Sequence, residues 1–129
     1  ILILIYSCNQ NQAGDQEIKR LITSNNPDEI IKGFDLIGFK NEDSIYLPYI
    51  FDNIYDPHVT TIIQRKGVSV YEIKIISLGR YFKVNPPKKL LPIPDTSIVH
   101  FYFKLALDKG YKFSDSIYKE VGYLKQDSL

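Results

Sequence analysis

Between Asn26-Pro27 and Gly38, apolar residues recur at Ile30, Phe34 and Ile37, with Ile31 beside them. That three-to-four-residue spacing is the signature of one buried helix face. Asn26 reads as the N-cap, Pro27 as the first helical residue, and Glu29 as the third, the capping-box order. Gly38 suits a left-handed stop. The same period returns along most of the chain: Ile18, Leu21 and Ile22 within 15–23, and Tyr71, Ile75 and Leu78 within 69–83. It appears again at Ile98, Phe101, Tyr102 and Leu105, between a cap at Asp95 or Thr96 and a stop at Gly110. Ile117, Val121 and Leu124 continue it behind Ser114. A chain so patterned is expected to be all-α, with five or six helices and short loops.

Three stretches depart from the pattern. Ile45, Leu47, Ile50, Phe51 and Ile54 give a helical face starting near Glu42 and ending at Asp56-Pro57, but Pro48 lies inside it. That proline marks either the true start of the regular helix or a kink. Residues 58–67 read as loop or a short helical turn. Val59 to Gln64 is nevertheless β-branched, and Arg65-Lys66-Gly67 could turn a hairpin into Val68–Tyr71. Residues 85–94 hold four of the seven prolines and are expected to run extended.

Composition narrows the function classes. Sixteen Lys plus Arg against 15 Asp plus Glu leave a formal charge of +1, which gives no phosphate-neutralising surface for nucleic acid. One cysteine makes neither an internal disulfide nor a multi-thiolate metal site, and His58 and His100 stand far apart. Arg65-Lys66-Gly67 lacks the spacing of a phosphate loop. No metal, cofactor or nucleic acid is expected, and no membrane-spanning stretch follows the first residues.

Ile1 to Ser7 is an apolar run that ends at Cys8, and the polar, uncharged stretch Asn9 to Gly14 follows. With Ile5 three before the cysteine and Ser7 directly before it, this resembles the end of a bacterial lipoprotein signal peptide. The resemblance implies cleavage before Cys8 and a lipid on its thiol. It divides the chain into a signal remnant at 1–7, a flexible tether at 8–14 and one folded domain at 15–129. The absence of methionine and of a basic segment before the apolar run leads us to expect a few residues missing at the start. The competing reading makes 1–8 a first strand or helix start with Cys8 as a small core residue.

A slide of 41 residues superimposes Ile30, Phe34, Ile37 and Gly38 on Tyr71, Ile75, Leu78 and Gly79, a period in the range of helical repeats. Residues 27–40 resemble the first helix of a HEAT repeat. Leu47 to Pro57, with its Leu-Pro pair and closing Asp-Pro, is similar to the second, and 68–83 give a weaker second copy. The family prefers alanine where Gly33 stands. The resemblance implies a short right-handed α-solenoid of antiparallel helix pairs that serves as a scaffold.

On that basis the expected function is a non-enzymatic, lipid-anchored helical scaffold in a bacterial envelope, binding a protein or peptide partner. The candidate contact residues are Tyr46, Tyr49 and Tyr55 on a shared helix surface, His58 in a loop, and Lys88 and Lys89 beside the prolines. With Lys83, those two lysines could also meet anionic lipid headgroups. Two other readings compete. One is a cytosolic α/β binding domain of toxin-neutralising type, using a 59–76 hairpin as a docking edge. The other is a hydrolase using His58 with Asp56 or Glu72, which lacks a nucleophile motif. His100, between Val99 and Phe101, reads as structural.

Overall fold

Local hydrogen bonding fixes where most helices begin. The computed structural model describes residues 14–39, 41–65 and 67–125; Cys8, the signal remnant and most of the tether lie outside the described residues. Among the described residues six α-helices form: α1 (residues 14–22), α2 (Pro27–Asp35), α3 (Leu47–Phe51), α4 (Val70–Phe82), α5 (Thr96–Asp108) and α6 (Asp115–Val121). Short 3-10 turns at Asn41–Tyr46 and Ile63–Arg65 complete the set. The all-helical expectation holds, and among the described residues β-pairing is limited to one antiparallel bridge, Val59 with Ser69.

Asn26 caps α2 by accepting from the Asp28 amide at 2.9 Å. Glu29 does not close the box directly. Ser24 Oγ accepts from the Asn26 amide and donates to Glu29, relaying the contact. α2 stops at Asp35, three residues before the expected Gly38, because Ile37 and Phe39 turn back into the core and Phe39 takes the left-handed conformation. Pro48 sits in the first turn of α3, where its missing N–H costs little, so it is a start and not a kink. The expected face is corrected at Ile45, which lies in the 3-10 turn and is half exposed, while Leu47, Ile50, Phe51 and Ile54 are buried.

The 59–76 hairpin does not form. Ser69 accepts from the Glu72 amide and Glu72 accepts from the Ser69 amide, a full capping box that commits residues 70 onward to helix. Upstream, Asp28 takes the Thr60 and Thr61 hydroxyls and the Thr61 amide, tying the loop to the first turn of α2. Those bonds stabilise the ionised Asp28 and lower its pKa.

α4 is the central helix, packed against α2, α3 and α5. It is buried on several sides, including Val70, Tyr71, Ile73, Ile75, Leu78 and Phe82, as a helix enclosed by others must be. α5 adds Ile98, Val99, Tyr102, Phe103 and Ala106. Phe101 and Leu105, expected to point inward, are only partly covered. At the end of α6, Gly122 adopts φ 74° and reverses the chain, which leaves Leu124 exposed and not on the helix face with Ile117 and Val121.

Gly33 lets α1 lie directly on α2. A Cβ there would stand 2.6 Å from Ile22 Cγ2 and 2.8 Å from Leu21 Cβ. The alanine preferred by HEAT repeats therefore does not fit. Gly33→Ala gains helix propensity of about 1 kcal/mol but forces two helices apart, an overpacking cost of about 1–3 kcal/mol. We expect a net loss of stability, read as a lower urea midpoint; a raised midpoint would show that α1 yields freely.

Candidate functional site

The chain leaves α4 through Lys83 in the left-handed conformation and doubles back along it. Tyr102 Oη donates to the Val84 carbonyl at 2.6 Å, and Ser69 Oγ, at the opposite end of α4, donates to the Pro92 carbonyl at 2.9 Å. The proline segment is thus held at both ends of the helix. Between them lies a groove of about 470 Å³. Ile75, Ile76, Gly79 and Arg80 of α4 line one side, and Asn85, Pro86, Lys88, Lys89 and Leu90 of the returning segment line the other. Lys88 is braced by Asp95 at 2.9 Å, and the Arg80 guanidinium lies over the Phe39 ring at 4.8 Å. Lys89 is exposed. Just beyond the groove, Leu91 and Ile93 stand out into solvent, Ile93 with 76% of its surface exposed.

The other expected contact residues are dispersed. Tyr46 is buried and donates to Asp15 at 2.9 Å, because the 3-10 turn aims it into the core and not onto a shared helix surface. Burial and the neighbouring Asp15 carboxylate raise its pKa. Tyr55 is half-buried and donates to the Val121 carbonyl at 2.6 Å. Tyr49 is half-buried on α3. The three tyrosines therefore form no common open face. Lys88 and Lys89 are brought together at the groove; His58 is not part of it.

His58 is exposed and pairs through Nδ1 with Asp56 Oδ1 at 2.6 Å. Glu72, the other carboxylate considered for it, is committed to the Ser69 cap. Among the described residues the His58 ring hydrogen-bonds Asp56 and no serine or threonine hydroxyl. His100 Nε2 donates to the Val121 carbonyl at the end of α6 at 3.1 Å, and the ring packs on Tyr123.

One site residue has no signal in the sequence. Lys74 sits mid-helix in α4 with 4% of its surface exposed, its Nζ donating to the Asp52 carbonyl at 2.5 Å. Desolvation outweighs the attraction of Asp52, Asp56 and Glu120 and pulls its pKa down to about 8. It lines a small cleft of about 160 Å³ at the junction of the α1–α2 loop, α3 and the following turn. Comparison with protein-family models, curated proteins and solved structures finds no match to this chain.

Proposed function

We propose that this chain is a non-enzymatic helical domain that binds an acidic peptide segment of a protein partner in the groove between α4 and residues 85–90. The observation that carries the reading is a groove whose lining joins apolar side chains with three cationic ones, Arg80, Lys88 and Lys89. An extended segment with alternating apolar and acidic residues would seat its apolar groups on Ile76 and Leu90 and its carboxylates against Arg80, Lys88 and Lys89. Leu91 and Ile93 extend the apolar surface past the groove. A groove bounded by α4 on one side and the returning segment on the other suits an extended peptide better than a flat bilayer surface.

The finer architecture belongs to the same proposal. α2 and α4, the helices related by the 41-residue shift, pack on each other, as the first helices of successive repeats do in a short HEAT-like array. The apolar run ending at Cys8 supports a lipid tether to a bacterial envelope membrane. No helix among the described residues is long and apolar enough to cross a membrane. Labelled palmitate should enter the protein and be lost with Cys8→Ala; label retained by that variant would overturn the tether.

The binding test is fluorescence polarisation with a labelled peptide of alternating Glu and Leu, against a Lys/Leu counterpart. We expect saturable binding of the acidic peptide alone, weakened by salt and reduced at least about tenfold by Lys88→Glu with Lys89→Glu. Equal binding to parent and charge-reversed proteins, or none to either, sinks the proposal.

A further inference from the structure

We propose that the cleft beside Lys74 binds a small zwitterion of the α-amino-acid class, its carboxylate on the Lys74 ammonium and its ammonium on Asp52 and Asp56. The argument rests on size, charge and chemistry. About 160 Å³ corresponds to roughly five waters at ~30 Å³ each, which is the space of a ligand with five or six non-hydrogen atoms. Glycine and alanine have that size.

The walls carry both signs of charge. Lys74 is the buried cation; Asp52 and Asp56 are the anions, with Ser24, Asn25 and Tyr49 supplying uncharged donors and acceptors. Asp56 is oriented by His58, whose ring and amide both bond Oδ1. A lone anion in the cleft would be repelled by two carboxylates, and a lone cation by the lysine. A molecule with both charges meets each wall with its opposite. The lysine is also under-compensated: its one hydrogen bond goes to a backbone carbonyl, and the surrounding carboxylates do not offset its loss of water. A ligand carboxylate delivered to it would. The sequence shows none of this, since the cleft gathers residues from four separate segments.

Equilibrium dialysis of the full chain against radiolabelled glycine and alanine, in phosphate at neutral pH, tests the assignment. Saturable retention is expected, with acetate and methylammonium competing at least about tenfold less well. Lys74→Met and Asp52→Asn should each weaken retention by about tenfold or more, while the double groove variant retains it. Asp52 is exposed, so Asp52→Asn reads the anionic wall independently of the lysine without disturbing the core. No saturable retention at millimolar ligand overturns the proposal. So does retention unchanged in either variant, or acetate or methylammonium competing as well as glycine. In those outcomes Lys74 serves only to brace the 52–56 turn.

Discussion

Phe103→Ala is expected to remove about 3–5 kcal/mol of unfolding free energy, a large share of what a domain of this size holds. Phe103 has no exposed surface. Its ring meets Phe51 of α3 edge-on at 5.1 Å, Phe113 at 5.0 Å, Tyr118 of α6 at 5.0 Å and Tyr123 at 5.2 Å. One side chain thus joins α5 to α3, to the loop before α6, to the middle of α6 and to the residue just past its cap. Truncation leaves a cavity ringed by stiff aromatics that close poorly around it, which places the cost at the upper part of the range. Urea titration followed by far-UV circular dichroism reads it directly. Phe101→Ala is the control: half-buried, against Tyr102 at 5.1 Å, it should cost markedly less. Equal losses in the two variants would mean that the aromatic cluster does not anchor the fold.

That pair of phenylalanines shows how far periodicity reaches. The period located α5, and of the two caps considered, Asp95 and Thr96, the structure selects Asp95. It placed Phe101 inward and passed over Phe103, because a helix packed on two sides buries a wider arc than one stripe. Caps were legible where a side chain near in sequence supplies the bond, as at Asn26, Asp95 and Ser114. Ser69-Val70-Tyr71-Glu72 was equally legible in principle, since serine and glutamate stand at capping-box spacing; reading it removes the hairpin alternative. The groove was only half legible. Lys88 and Lys89 are adjacent in sequence, but the return of their segment along α4 depends on Tyr102 reaching Val84 and Ser69 reaching Pro92. Tyr46 was misplaced because a 3-10 turn carries side chains round faster than an α-helix does. Lys74 was illegible: a lysine at a mid-helix position reads as solvated until three other helices are known to surround it.

Lys74 also dictates how stability should vary in alkali. Its pKa falls from 10.5 in the unfolded chain to about 8 in the fold, so between those values the unfolded state binds the additional proton. Stability therefore rises with pH across that window, by about 3 kcal/mol in all at ~1.36 kcal/mol per unit. The tyrosines act with the opposite sign. Burial pushes Tyr102 up to about 12, and burial with the Tyr111 hydroxyl does the same for Tyr81. Their stabilisation is complete below pH 10 and is lost as pH climbs through 12. The unfolding free energy is thus expected to climb from pH 8, peak near 10 and then fall. Urea titrations in borate or carbonate, free of amino-acid buffers that would occupy the proposed cleft, trace the curve. In Lys74→Met the climb should vanish while the fall above pH 10 persists. That variant should exceed the parent's stability at pH 7, where the parent holds a buried ammonium, and the two curves should converge near pH 10. A parent curve that is flat or descending between pH 8 and 10 would show that the amine is hydrated in the folded state, and with it would go the electrostatic reason for a ligand carboxylate at Lys74.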